Sequence, residues 1–172
     1  MIDLKRITSY TFILFLFFMI GCGGQTDLQE GRKTIDAFYG QYKPGDYRVA
    51  DKSLLSKSFG QKIDQASAKQ ATSAEELKAM GSTDKPLMIE GDIYTSLYEG
   101  ATSHETEKID KVNDQIKATV QFNNESYKQK WSDTIVLIKE AGSWKIDNVL
   151  YTAKQGGARS VSEVLDQFLR LP

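Results

Sequence analysis

Apolar residues follow three different rhythms along this chain. Ile7 to Ile20 is an almost unbroken apolar run, with Phe12 to Phe18 in direct succession. From Leu28 to Met80 the apolar positions return every three or four residues, the period of a helix with one buried face. Ile35, Phe38, Tyr39 and Tyr42 mark a first helix, opened by a capping box at Thr26 and Gln29 and stopped by Pro44-Gly45-Asp46. Leu55, Phe59, Ile63 and Ala66 mark a second, starting near Asp51 and interrupted at Thr72-Ser73. Ser73 with Glu76 reads as a new cap ahead of Leu77 and Met80, so this stretch is one bent helix or two short ones.

Beyond His104 the period falls to two. Ile116, Ala118, Val120 and Phe122 alternate with Gln115, Lys117, Thr119 and Gln121, as a half-buried strand requires. The same rule predicts strands over 105–112, 131–139 and 144–151, joined at Asn113-Asp114 and at Ala141-Gly142. The Thr134-Ile135-Val136-Leu137-Ile138 run is apolar enough to be covered on both faces. Residues 87–98 fit neither period and are expected to be irregular, with Gln155-Gly156-Gly157 as a further loop. Ser160 or Ser162 then caps a last helix bearing Val161, Val164, Leu165, Phe168 and Leu169. Segregated helices and antiparallel strands predict an α+β fold, a four-stranded sheet whose buried face is covered by the N-terminal helices.

Composition and charge bear mainly on where the protein resides. Lys5 and Arg6, the apolar run and Gly21 form an export signal, and the run is shorter than the ~20 residues a spanning helix needs. Met19-Ile20-Gly21-Cys22 resembles the bacterial lipobox, with Met19 where leucine is usual. The resemblance implies cleavage after Gly21 and acyl chains on Cys22, the single cysteine of the 172-residue chain. Each buried CH₂ contributes about 0.8 kcal/mol, so two or more chains anchor stably where one binds reversibly. A secreted protein with a chance cysteine, or an uncleaved signal anchor, are the alternatives. The expected organisation is a signal peptide over 1–21, lipidated cysteine and tether over 22–27, and one domain over 28–172. Gly23, in place of aspartate, after Cys22 leans toward an outer membrane if the cell has one. With Cys22 acylated no thiol remains, so this extracytoplasmic domain has no disulfide and relies on packing. Charges nearly balance, 22 Lys and Arg against 23 Asp and Glu, with no basic stripe for nucleic acid.

Two further stretches carry a family resemblance. Asp36-Ala37-Phe38-Tyr39-Gly40-Gln41-Tyr42 in the first helix, and the hairpin from Trp131 to Tyr151 with Trp144-Lys145-Ile146-Asp147 after Gly142, are similar to the nuclear-transport-factor-2-like superfamily. Leu54-Leu55-Ser56 and Lys85-Pro86-Leu87 resemble segments of bacterial, often lipid-anchored, members of unknown function. The resemblance implies a cone, with the first helices packed in the hollow of a strongly curved sheet. It implies no particular activity.

Candidate chemistry is sparse. His104 is the one histidine, which excludes a two-histidine zinc motif, and is expected as an exposed histidine at a loop edge. Among the many carboxylates none is marked by the pattern as pointing inward, and Asp147 is expected to face out. No phosphate loop, nucleophile elbow or calcium loop occurs, and no cofactor or metal is expected. Seven tyrosines after Cys22, with Trp131 and Trp144, are the more distinctive set, since such rings suit interfaces and pockets. Three functions are open: a non-catalytic binding module gripping an envelope protein through the cone mouth or an aromatic rim; a carrier of a small apolar ligand inside the cone; and a proton-transfer enzyme using a buried acid beside a tyrosine. Phe38, Tyr42, Trp144 and Ile146 are the expected pocket or interface residues.

Overall fold

A computed structural model describes residues 23–172. Cys22 and the expected signal over 1–21 lie outside the described residues. Helix α1 (Gly23–Gln41) is followed by two 3-10 turns, Tyr47–Val49 and Lys52–Leu54, then α2 (Lys57–Ala79). Strands β1 (Ser103–Val112), β2 (Gln115–Asn124), β3 (Gln129–Glu140), β4 (Ser143–Gln155) and β5 (Ala158–Ser160) come next, and α3 (Val161–Arg170) closes the chain. No helix among the described residues is long and apolar enough to cross a membrane.

Helix α1 is already formed at Gly23, ahead of the expected cap at Thr26. It buries Ile35, Phe38 and Tyr39 against the sheet. Gly31 permits the close approach: a Cβ there would stand 2.8 Å from Ile116 Cδ1. Helix α2 starts at Lys57 rather than near Asp51, because Ser56 supplies the cap, its Oγ accepting from Phe59 N at 3.0 Å. Asp51 instead caps a 3-10 turn, accepting from Ser53 N. Thr72-Ser73 does not interrupt α2, which is one helix of 23 residues. Good helix formers flank the pair, and Ser73 Oγ turns outward to accept from Leu87 N.

The sheet is antiparallel and open, in the order β1-β2-β3-β4-β5. It has five strands where the alternation predicts four. The fifth forms because Gly156 and Gly157, both at positive φ, turn the chain back so that Gln155 pairs with Ala158 and Leu150 with Ser160. Three residues are too few to show a period. Two bulges accentuate the local twist of the sheet. Glu107 is extra in β1, where Thr106 and Lys108 face Val120 and Thr119 in succession. Asp147 is extra in β4, where Ile146 and Asn148 face Leu137 and Val136.

The inner face follows the expected parity. Ile116, Ala118, Val120 and Phe122 of β2, Ile135 and Leu137 of β3 and Ile146 and Val149 of β4 are fully buried. With Phe38, Phe59 and Ile63 they form one core, each Val, Ile, Leu or Phe side chain contributing roughly 1.5–3 kcal/mol by leaving water. Val136 is buried on the opposite parity, as its apolar run predicts. Ser160 caps α3, its Oγ accepting from Glu163 N at 3.2 Å, and α3 buries Val161, Leu165 and Phe168.

Candidate functional site

The four expected pocket residues occupy three different surroundings. Phe38 and Tyr42 share a crevice with Tyr94, Ala50 and Asp51 that encloses about 10 Å³, room for one water. Ile146 is fully buried in the core. Trp144 lies at the start of β4, its Nε1 donating to Asp27 at 3.1 Å. Helix α1 packs directly on the sheet, and the irregular segment 87–102 adds Ile93, Tyr94 and Ala101 to the same filled core.

That segment is ordered by side chains from every surrounding element. Tyr39 Oη donates to Tyr94 O at 2.8 Å, and Tyr151 Oη to Ile93 O at 2.5 Å. Tyr94 Oη in turn donates to Tyr47 O at 2.6 Å. Asp133, 1 % exposed, accepts from Ser96 N (2.8 Å), Trp131 Nε1 (3.1 Å) and Thr152 N (2.9 Å). Asp92 Oδ2 accepts from Thr95 N and Thr95 Oγ1, both at 2.8 Å, and lies near the Tyr42 hydroxyl, which accepts from Ala101 N at 3.4 Å. Burial pushes the Asp92 carboxyl up to about 6, although the bonds from Thr95 and the nearby Tyr42 hydroxyl partly oppose it. Loss of solvation, then the Asp92 charge, raises Tyr42 above the ordinary phenol range. An acid beside a tyrosine is the pair a proton-transfer site would use. Here both groups bond to residues of the segment itself, Asp92 to Thr95 and the Tyr42 hydroxyl to Ala101 N.

The sequence reading missed both acids. Asp133 was accessible to it: the residue shares the parity of Ile135 and Leu137, so an inward carboxylate follows from the alternation itself. Asp92 lies in a stretch without a period, where only the Asp-x-x-Thr spacing hints at a local cap.

His104 is on β1 rather than at a loop edge, with its side chain only 19 % exposed. Its ring packs on Tyr39, and Nε2 lies 3.6 Å from Asp36 Oδ1. Asp147, expected to face out, is half-buried because the bulge turns it toward Ser56, whose Oγ donates to it at 2.6 Å. Among the described residues no group of three or more His, Cys, Asp or Glu is arranged to hold a metal ion.

Open concavities lie elsewhere among the described residues: a mostly polar one of about 340 Å³ beside His104 on β1 and β2, and a mostly apolar one beside α3. A groove of about 350 Å³ runs between the C-terminal half of α3 and the irregular segment, walled by Ile89, Ile93, Tyr98, Val164, Phe168 and Leu171. Glu90, Gln155 and Gln167 supply its polar groups. Gly91 fixes one wall: at φ +74° it lies beneath the Tyr98 ring, and a Cβ there would stand 2.5 Å from it. Tyr98 is 52 % exposed and Leu171 45 %, so apolar surface faces solvent along the groove. Lys69 fixes the other wall by donating to the terminal carbonyls of Leu169 and Leu171. The volume falls at the small end of ligand sites, and the lining is mostly apolar with a few polar groups, as such sites are. Comparison with known protein families, with curated proteins and with solved structures finds no match to this chain.

Proposed function

We propose that this protein is a non-catalytic binding module, held outside the cytoplasm by acyl chains on Cys22 and gripping an envelope protein through the groove beside α3. The five-stranded antiparallel sheet, bulged twice and covered by α1, is read as the cone of the nuclear-transport-factor-2-like superfamily, with segment 87–102 plugging its mouth. The reading rests on one observation above all: the interior is filled, whereas the exposed apolar concavity of about 350 Å³ lies outside it, between α3 and Tyr98. The hydroxyls of buried Tyr39, Tyr94 and Tyr151 are engaged with backbone carbonyls, while Tyr98 is left at the rim. An outer-membrane address, where the cell has one, follows from Gly23 beside Cys22.

The groove volume favours one alternative, a carrier of a small apolar ligand bound there rather than inside the cone. A photo-crosslinking residue placed at Tyr98 or Leu171 in living cells separates the two readings. A protein adduct formed at both positions and absent from Tyr127, which is exposed on the β2–β3 turn, supports the partner reading. Equal labelling from Tyr127, or none from the groove, removes it. Native mass spectrometry of the protein from its host, showing a small apolar molecule that Val164→Trp expels, supports the carrier.

A further inference from the structure

The beginning of α1 is fixed to one end of the sheet. Asp27 accepts from Lys111 Nζ at 2.5 Å, Lys139 Nζ at 2.8 Å and Trp144 Nε1 at 3.1 Å. Those three residues come from the end of β1, the end of β3 and the start of β4, on either side of the Asn113-Asp114 and Ala141-Gly142 turns. Between one and two helical turns further on, Arg32 reaches Thr106 O at 2.8 Å and Thr34 Oγ1 reaches Trp144 O at 3.1 Å. Helix α1 therefore runs from the two turns toward the opposite end of the sheet, where Tyr39 meets Phe122 and His104. The start of α2 is at the same end as the turns, since Lys57 N donates to Glu140 Oε2 at 2.9 Å.

The chain outside the described residues stops at this end. Its apolar run and Cys22 immediately precede Gly23, the first residue of a helix already bound to the sheet four residues later. We propose that the end of the domain formed by the start of α1 and the β1–β2 and β3–β4 turns rests against the lipid bilayer, and that the groove beside α3 is held at the far end. The placement builds on the membrane attachment proposed above, but not on its chemistry: acyl chains on Cys22 and a retained apolar run would both put the bilayer here. Lys57, Lys111 and Lys139 bring three positive charges to this end, matched by the three negative charges of Asp27, Asp114 and Glu140. No excess of positive charge is left to attract anionic headgroups, so attachment alone holds this end at the surface and zwitterionic lipid suffices.

From Ser143 to Gln155, β4 spans roughly 40 Å at about 3.3 Å per residue. Gln155 and Gly156 line the groove, which is thus displayed well away from the lipid, where a partner can reach it.

The test uses membrane-extracted protein reconstituted in phosphatidylcholine vesicles, with fluorophores on single introduced cysteines and energy acceptors on the lipid headgroups. Asp114→Cys reports the near end and Glu125→Cys the far end of β2, about 36 Å apart along the strand. Ser143→Cys with Arg159→Cys gives an independent pair should either of the first variants fold poorly. Transfer is expected to be at least several-fold stronger from positions 114 and 143 than from 125 and 159. Equal or reversed transfer overturns the orientation while leaving attachment intact. Intact mass of the same sample reads the state of Cys22 separately. Protein that does not float with the vesicles overturns the orientation and the membrane anchor together.

Discussion

Asp27 and Asp92 are both nearly excluded from solvent, at 9 % and 2 % exposure, yet they respond to their surroundings in opposite ways. Asp27, at the start of α1, lies between two lysine ammonium groups and an indole N–H. Those bonds, Lys111 first, hold its carboxyl well below the ordinary carboxylate range despite burial. Asp92, in the irregular segment, has no cation among its bonded neighbours. Its donors are hydroxyls and backbone N–H groups, and burial outweighs them. Burial alone thus does not decide the sign of a shift; the charge of the donors does. One end of the molecule is fastened by compensated charge, the other by neutral hydrogen bonds around a carboxylate that favours its proton.

The largest test of this contrast removes the third buried carboxylate. Asp133→Ala leaves Ser96 N, Thr152 N and the Trp131 indole without their acceptor. Each abandoned buried donor costs about 1–3 kcal/mol, so a loss of at least about 3 kcal/mol is expected in urea unfolding at neutral pH. Because Asp133 joins the segment to β3 and β4, amide exchange should accelerate around Ser96 before it does in β2. Uniform loss of protection across the sheet would mean that the segment is not separately fastened.

The second test concerns Asp92 and pH. Its folded carboxyl titrates near 6 against 3.8 for the free group, so the folded state binds this proton more tightly than the unfolded chain does. Stability from this group is therefore highest below about pH 4, falls as pH rises to 6, and stays reduced above that. The difference approaches 3 kcal/mol, at about 1.4 kcal/mol per pKa unit. Asp92→Asn removes the titration while keeping an oxygen acceptor for Thr95. Relative to the native chain, the variant should gain stability between pH 4 and 7.5 by up to that amount. A native-minus-variant difference that stays flat over this range would show that Asp92 does not hold a proton preferentially in the fold.

These carboxylates also show which parts of the structure were legible in the sequence. Strands β1, β2 and β4 follow from alternation because each faces core on one side and water on the other, a condition that local sequence records, and β3 follows from an apolar run covered on both faces. Both bulges, at Glu107 and Asp147, were invisible, since an extra residue changes parity without changing residue type. Segment 87–102 has no period because its order comes from Tyr39, Asp133 and Tyr151, between 37 and 58 positions distant. The groove was unreadable for the same reason: it arises where that segment meets α3. Of the expected pocket residues, Phe38 and Ile146 were recognised correctly as inward, but inward here means packed rather than lining a usable space.

The smallest expected effect is at Asp27, which the pattern placed in a tether because its partners lie 84 to 117 positions away. Asp27→Asn keeps an oxygen for the Trp144 indole and removes the charge that holds Lys111 and Lys139. Both lysine side chains are about two-fifths exposed and can turn to water, so only a modest drop in melting temperature is expected at pH 7. The sign of its pH dependence is opposite to that at Asp92. A carboxyl held low in the fold stabilises fully above the unfolded value near 4, and this contribution fades only as pH falls further. The native-minus-variant difference in melting temperature should therefore be constant from pH 5 to 8 and shrink below about pH 4. A difference that persists unchanged at pH 2, where the unfolded chain has already taken up the proton, would show that Asp27 fastens α1 by shape and not by charge. The contrast between the two ends would then rest on Asp92 alone.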